Sequence, residues 1–168
     1  MKLDFGCGKN KQKDFIGVDI EKFDGVDIVH DLTMAPYPFE DESVEQVHSS
    51  HFVEHLTGDE RVTFFNELFR IMKRGTQATI IAPHWSHDCA YGDPTHKFPP
   101  ISGWTFLYLN KAWRDVNAPH TKYNCDFDYN IAGSWEEWLN IKNQEFKFFS
   151  MQHYINSYRD MIVTLIKR

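Results

Sequence analysis

The chain has 168 residues, a length that indicates one domain with room for a stable core. Hydrophobic residues make up 42% and charged residues 25%, which excludes a disordered chain, and no apolar run approaches the roughly 20 residues of a membrane span. The net charge of −6 argues against nucleic acid as a partner. Three cysteines without metal-ligand spacing, and an N-terminus without an apolar signal region, predict reduced thiols and a cytoplasmic location.

The first 82 residues alternate short apolar runs with turns, a pattern typical of parallel strands joined by crossovers. The predicted strands cover residues 3–5, 15–19, 26–30, 44–49 and 78–82. Only residues 9–14 separate the first two strands, which is too few for a full crossover helix. We therefore expect a helix of a turn or two at most in that connection.

One longer helix is predicted between the fourth and fifth strands. Thr57 and Glu60 form a capping-box pattern at its start. Apolar residues then recur every three or four positions from Phe65 to Met72. The basic pair before Gly75 is typical of a helix C-terminus, so the helix is expected to end there.

After residue 83 the sequence becomes rich in aromatic residues and loses clear periodicity. Residues 84–138 carry 12 aromatic side chains and four histidines. Because long loops in a compact domain are usually functional, residues 84–144 are predicted to form a lid and substrate pocket. Two apolar runs, at residues 145–151 and 161–166, are predicted to be an antiparallel strand pair that closes the sheet.

Polar or glycine positions follow three successive predicted strands. Gly6 and Gly8 follow the first and would let a ligand approach backbone N–H groups, although an ordinary tight turn has the same sequence. Asp19 ends the second strand, where a carboxylate can accept hydrogen bonds from both hydroxyls of a ribose. Asp31 follows the third and could accept from an adenine amino group, with Leu32 against the ring. Open α/β sheets bind ligands along this edge, so the three features together predict a nucleoside site.

A dinucleotide is the weaker hypothesis for that ligand. The fingerprint G-x-G-x-x-G would need a glycine at the position of Lys11, and Asp19 comes earlier than the ribose carboxylate of that fingerprint. A nucleoside attached to a carboxylate fits better than one attached to a diphosphate.

These motifs, with residues 17–19, 27–32, 49–56 and 64–81, resemble those of class I S-adenosylmethionine-dependent methyltransferases, most closely the small methyltransferase type 11 group. The resemblance covers roughly residues 2–110. It implies a Rossmann-like α/β fold with a mostly parallel seven-stranded sheet, an antiparallel C-terminal strand and few helices. It also implies a single domain, with S-adenosylmethionine held by residues 1–83 and the sheet closed by residues 145–168.

The resemblance implies roles for individual residues at the cofactor. These are Asp4, Gly6, Cys7 and Gly8 at the methionine end, Asp19 and Ile20 at the ribose, Asp31 and Leu32 at the adenine, and Ser49, Ser50 and His51 beside the cofactor. The chain departs from the family pattern because the third glycine is missing, with Asn10 near its position. No helix precedes the first strand, so one sheet face is expected to be thinly covered, and a homodimer could cover it.

The polar run after the fifth predicted strand holds the candidate acceptor site. His84 and His96 are candidate catalytic bases, because imidazole can take a proton near pH 7. Trp85, Tyr91 and Asp93 are candidate substrate contacts, although the Asp-Pro pair would equally suit a plain turn. Methyl transfer from a sulfonium is an in-line displacement that positioning alone can promote, so a dedicated base need not exist. We expect a small polar metabolite as the acceptor, and neither nucleic acid nor membrane as a partner.

Three other functions stay open. The chain could hold the cofactor or a related nucleoside without catalysis, or it could be a nicotinamide-dependent reductase or a zinc hydrolase. The zinc hypothesis rests on His51, Glu54 and His55, which match the pattern H-x-x-E-H within a short helix predicted over residues 51–56. We expect no metal site, because the glycine turn and the strand-end carboxylates have no role in a peptidase.

Overall fold

A computed structural model describes all 168 residues and contains one seven-stranded sheet. Its strands are β1 (Lys2–Phe5), β2 (Ile16–Asp19), β3 (Ile28–Val29), β4 (Val44–Ser50), β5 (Met72–Pro83), β6 (Phe127–Trp135) and β7 (Tyr158–Lys167). The strand order is β3-β2-β1-β4-β5-β7-β6; the first five strands pair in parallel, and β7 is antiparallel to both β5 and β6. The predicted fold class is therefore confirmed.

Helices are few and mostly short. They are α1 (Gly58–Ile71), α2 (Cys89–Gly92), α3 (Gly103–Leu107), α4 (Lys111–Asn117) and α5 (Gln144–His153), with 3-10 turns at Val53–His55 and Glu137–Leu139. Only α1 connects two parallel strands, and the connection between β1 and β2 contains turns without any helix. None of these helices has the length and apolar character needed to cross a lipid bilayer.

The helix α1 begins at the predicted capping box and supplies much of the core. Thr57 Oγ1 accepts from Glu60 N at 3.4 Å, and Glu60 Oε2 accepts from Thr57 N at 2.7 Å. The buried face of α1 contributes Phe64, Phe65, Leu68 and Ile71 to one core cluster of 27 buried residues. Phe5 of β1 belongs to the same cluster, with its ring centroid 6.0 Å from that of Phe64. The core thus lies between α1 and one face of the sheet.

The predicted C-terminal end of α1 is wrong. The helix ends at Ile71, and the basic pair with Gly75 belongs to β5. Gly75 has a φ of +74° and lies in a bulge, where the register of β5 against β4 shifts between Met72 and Gln77. Gly75 allows the positive φ of a β-bulge. A glycine after a basic pair is equally typical of a helix C-terminus, so the sequence alone does not distinguish the two.

The predicted closing strand pair is also partly wrong. Residues 145–151 lie in α5, and the partner of β7 is β6, which falls inside the segment predicted to be a lid. The alternation of polar and apolar residues in 145–151 imitates a strand. Asn143, however, caps a helix there, since its Oδ1 accepts from Phe146 N at 2.8 Å.

The second face of the sheet carries no part of the core, and its central row is polar. One row across the strands runs through Asp4, His48, Thr79, Thr164 and Asn130. Over residues 46–50, 77–81 and 160–166, residues on this face are half-buried or exposed, whereas their neighbours on the other face are buried. Within these ranges, the apolar members of this face are Ile81, Ile162 and Ile166. Parallel sheets are normally covered on both faces. The thin cover expected from the sequence is thus present, and a homodimer over this face stays a prediction.

We predict that Thr57→Ala lowers the free energy of unfolding by about 1 kcal/mol, because it removes the capping hydroxyl of the one helix that connects parallel strands. The matched control is Thr63→Ala, within the same helix, where the change should stay below about 0.5 kcal/mol. Urea denaturation of both variants measures the difference. Equal losses in the two variants would contradict the role assigned to the cap.

Candidate functional site

The parallel strands end at one edge of the sheet. The residues at this edge are Gly6 after β1, Asp19 in β2, Asp31 after β3, Ser50 in β4 and Pro83 in β5. Because β7 runs in the opposite direction, its first residues reach the same edge, and Asp160 pairs with Pro83. The strand order reverses at β1, between β2 and β4, and ligands of open α/β sheets bind at such a point.

A cleft of about 530 Å³ lies at this point, which we call the first cleft. Six of the predicted cofactor residues line it: Asp4, Gly6, Cys7, Gly8, Ser50 and His51. Four residues that were not predicted as ligands line it as well: Lys9, Asn10, Gln12 and His48. The structure therefore brings the two predicted motifs, after β1 and after β4, to one site.

Asp4 connects two segments that line the first cleft. The residue is buried, its Oδ2 accepts from Gln12 N at 2.6 Å, and its Oδ1 lies 2.7 Å from His48 Nδ1. One carboxylate thus fixes both the loop after β1 and a side chain of β4. His48 could have been found in the sequence as the polar position of β4 that shares a sheet face with Asp4.

The glycines give the loop its shape. Gly6 has a φ of +65°, and a Cβ there would lie 2.5 Å from the ring of Phe52. Gly8 has a φ of +51°, and its N–H donates to Asp19 Oδ2 at 2.8 Å. Cys7 stands between them, and burial raises the pKa of its thiol to about 11, so the group is a neutral part of the wall. A side chain at position 6 would therefore displace Phe52 before any ligand is considered.

Two carboxylates farther along the edge keep an oxygen for a ligand. Asp19 uses Oδ2 for Gly8, while Oδ1 has only a long contact of 3.4 Å from Glu21 N. Asp31 Oδ1 accepts from Thr33 Oγ1 at 2.7 Å and from Thr33 N at 2.9 Å, which leaves Oδ2 without a partner. These bonds from Thr33 hold the pKa of Asp31 below its usual range. Both groups are arranged as hydrogen-bond acceptors.

Three other predicted cofactor residues have different surroundings. Ile20 is exposed beside Asp19 and can cover a bound ligand. Leu32 and Ser49 are almost fully buried, Leu32 within the core cluster and Ser49 with a hydroxyl that has no hydrogen-bond partner. The structure therefore does not place these two side chains on the wall of the cleft.

A second cleft, of about 590 Å³, adjoins the first because His51 lines both. Its polar wall consists of His51, Cys89, Asp93, His96, Arg159 and Asp160. Asp93 and His96 were predicted for the acceptor site, and their assigned roles stay predictions. Cys89, Arg159 and Asp160 were missed; starting the last strand three residues earlier would have placed Arg159 and Asp160 at this edge.

His51 stands where the two clefts meet. Its φ of +53° is uncommon for a residue with a side chain. Its Nδ1 lies 3.3 Å from Glu54 Oε1, and its Nε2 lies 4.0 Å from Asp160 Oδ1. The interaction with Glu54 raises the pKa of the His51 imidazole, and Asp160 acts in the same direction. A residue of uncommon backbone conformation thus lies between the buried carboxylate of Glu54 and the half-buried carboxylate of Asp160.

The remaining predicted acceptor-site residues lie outside the second cleft. His84 is buried, its Nδ1 lies 2.7 Å from Ser86 Oγ, and burial lowers its pKa to about 4. Trp85 and Tyr91 are exposed, and neither lines the second cleft. His84 and Trp85 therefore lie apart from His96 and Asp93, whereas Tyr91 lines a smaller cleft of about 160 Å³ together with both of them.

The geometry behind the zinc-hydrolase hypothesis is wrong. His51 precedes the 3-10 turn Val53–His55, and no α-helix runs through the H-x-x-E-H match. His51 and His55 therefore do not share the helix face that this motif requires.

Comparison with known proteins finds one family model that matches part of the chain and solved structures that share its fold. Residues 3–80 match the family model described as a methyltransferase domain. Among solved structures, a SAM-dependent methyltransferase from Archaeoglobus fulgidus is 21% identical, with a TM-score of 0.69, covering 99% of this chain and 85% of that one. A SAM-dependent methyltransferase from Methanosarcina mazei is 14% identical, with a TM-score of 0.61 and coverage of 99% and 91%.

A geranyl diphosphate C-methyltransferase from Streptomyces coelicolor, solved with Mg²⁺, geranyl diphosphate and S-adenosyl-L-homocysteine, is 15% identical. Its TM-score is 0.59, with 99% of this chain and 71% of that one covered. No curated protein matches the sequence significantly.

We predict that the buried His84 makes the protein less stable in mild acid. The folded pKa of about 4 lies below the ordinary 6.5, so the unfolded chain binds the proton first as the pH falls. The free energy of unfolding therefore declines from about pH 6.5 to about pH 4, by at most about 1.4 kcal/mol per pH unit from this group. His84→Asn should flatten that slope in urea denaturation between pH 4 and 7.

The control for this measurement is His120→Asn, which changes an exposed histidine and should keep the wild-type slope. Identical slopes for the wild type and His84→Asn would contradict the depressed pKa.

Proposed function

We propose that the chain, whose residues 3–80 match the methyltransferase-domain model, is an S-adenosylmethionine-dependent methyltransferase and that it transfers the methyl group to a small polar molecule bound in the second cleft. S-adenosylmethionine supplies a methyl group activated on a sulfonium. The family match supports the enzyme class and the cofactor, and it favours neither a reductase nor a hydrolase. The choice of acceptor rests on one observation. The first cleft, beside the glycine turn, and the second cleft, which has a charged wall, meet at His51.

We assign the first cleft and the edge beyond it to the cofactor. The turn at Gly6 and Gly8 brings backbone to the cleft without side chains, which suits a closely held ligand. Asp19 keeps Oδ1 for the hydroxyls of a ribose, and Asp31 keeps Oδ2 for an amino group of adenine. The donors and acceptors present therefore fit a nucleoside that carries an amino-acid end.

Asp160 supports a polar acceptor. Its Oδ1 is buried and has no hydrogen-bond partner, while Oδ2 lies 3.3 Å from Ser134 Oγ. A buried carboxylate oxygen without a donor is unfavourable, so a ligand that brings an N–H or O–H group is expected to bind there. Asp93 and Arg159 add charge to the same wall. An isoprenoid such as the ligand of the Streptomyces coelicolor enzyme would leave these groups unsatisfied.

The contribution of the chain to the reaction is then mainly orientation. An in-line displacement gains most from holding the two reactants in contact at the correct angle. Asp160 and Arg159 would fix the acceptor, and the constrained backbone of His51 would fix the wall between the acceptor and the cofactor. Removal of water from the region where the two clefts meet would strengthen each of these polar contacts.

We predict that Asp19→Ala weakens S-adenosylmethionine binding more than tenfold, because it removes charge-assisted hydrogen bonds to the ribose. Isothermal titration calorimetry measures the affinity. The matched control is Asp24→Ala, an exposed carboxylate in the loop between β2 and β3, which should bind as the wild type does. Since Asp19 also binds Gly8 N–H, the far-UV circular dichroism and Tm of the variant are compared first. Unchanged affinity in a folded variant would refute the ribose assignment.

We predict that Asp160→Asn lowers kcat/KM for the acceptor at least tenfold and leaves cofactor affinity unchanged, because only the acceptor is expected to use this carboxylate. Methyl transfer from labelled S-adenosylmethionine to a panel of amines, carboxylic acids, phenols and thiols identifies the acceptor to be used. The control is Asp128→Asn, at the opposite end of the sheet. A loss of cofactor binding in Asp160→Asn would place this residue at the first cleft instead.

A further inference from the structure

Three side chains with metal-binding atoms converge beside the second cleft. Glu54 and His55 come from the 3-10 turn after β4, and His96 comes from the loop after β5. One ligand atom from each lies within 4.8 Å of the other two, and the two imidazole centroids are 4.8 Å apart. The set differs from the H-x-x-E-H match in the sequence, because His96 replaces His51.

Glu54 is the observation that points to a ligand. Its side chain is 5% exposed, and neither carboxylate oxygen has a hydrogen-bond partner. The imidazole of His51 lies 3.3 Å away but does not meet hydrogen-bond geometry. Arg61, the other nearby cation, directs its N–H groups to backbone carbonyls. Buried carboxylates in proteins are paired or coordinate metal ions. Oε1 of Glu54 has only the His51 imidazole near it, and Oε2 has no partner, so Oε2 is free to bind an ion.

The two histidines are oriented as metal ligands are. The hydroxyl of Thr95 donates to Asp93 Oδ1 at 2.6 Å, so His55 Nδ1, 2.9 Å from Thr95 Oγ1, is assigned as a donor. His96 Nδ1 lies 3.2 Å from the carbonyl of Ala90 and can only donate to it. In each neutral ring the lone pair is then on Nε2. Histidines that bind metals typically donate their other N–H in this manner.

A buried arginine braces the backbone that carries these ligands. Arg61 donates to the carbonyl oxygens of Val53 at 3.1 Å, Pro99 at 2.6 Å and Lys97 at 3.4 Å. Lys97 N donates in turn to Glu54 O at 2.8 Å. The segments that hold Glu54 and His96 are therefore joined directly, with no ion required to bring them together.

We propose that Glu54, His55 and His96 bind one divalent transition-metal ion, with Zn²⁺ as the preferred ion. Two imidazoles and a carboxylate form a known zinc ligand set that keeps one position open, and imidazole ligands disfavour Mg²⁺ and Ca²⁺. Small side-chain rotations must draw the ligand atoms to about 2.0–2.2 Å from the ion. His96 also lines the second cleft, which gives the ion a path from solvent. Metal binding of this kind goes beyond the proposed function, because it needs neither cofactor nor acceptor.

Titration of Zn²⁺ into the chelator-treated full chain, followed by calorimetry, tests the proposal. We expect one ion per chain with a micromolar or tighter Kd. The absorption spectrum of the Co²⁺-loaded protein should report a four- or five-coordinate nitrogen and oxygen site. Glu54→Gln and His96→Ala should each weaken binding at least tenfold. Binding of no ion, or unchanged affinity in both variants, would overturn the proposal.

Two control variants separate this site from other histidines and cysteines. Cys89→Ser removes a ligand from the neighbouring group of His87, Asp88 and Cys89, and His120→Ala removes an exposed imidazole. Both should bind Zn²⁺ as the wild type does. Loss of binding in Cys89→Ser with retention in Glu54→Gln would move the ion to that other group and refute the proposal. If Glu54→Gln does not fold, His96→Ala decides, and since the readout is metal affinity, failure of the acceptor assignment leaves the result intact.

Discussion

The carboxylate of Asp4 is the contact on which the loop after β1 and the first cleft depend. It lies at the end of β1, at the point where the strand order reverses, and it holds Gln12 N on one side and His48 on the other. Most α/β domains place a crossover helix after the first strand. In this chain a loop without a helix makes the connection, so a single buried side chain supplies the order that a packed helix would otherwise give.

The second cleft follows from the direction of one strand. Because β7 runs antiparallel to β5, its first residues reach the edge where the parallel strands end, and they bring Arg159 and Asp160 opposite Pro83. A parallel last strand would have placed its carboxyl end there, with different side chains. The glycine turn and the charged wall therefore lie at the same edge of the sheet, and His51 lines both clefts.

Local sequence signals predicted the parts of the fold that depend on neighbours in the chain. The capping box at Thr57, the five parallel strands and the strand-end carboxylates belong to this class. The sequence could not show that residues 145–151 are helical, because their alternation fits a strand and the choice is made by the Asn143 cap and by the pairing of β6 with β7. Nor could it show the approach of His96 to Glu54, which are brought together by the loop after β5. Burial of individual side chains on the edge is likewise a tertiary property.

The thinly covered face of the sheet has a thermodynamic consequence. A sheet covered on both faces exposes two apolar layers on unfolding, whereas this one exposes one core and a second face whose central row, with Thr79 and Thr164, is polar. The heat capacity of unfolding rises with apolar surface exposed and falls with polar surface exposed. It should therefore be smaller than that of a domain of the same length whose sheet is covered on both faces. A small heat-capacity change flattens the curve of stability against temperature. The free energy of unfolding of this short chain should then vary little over a broad range of temperature.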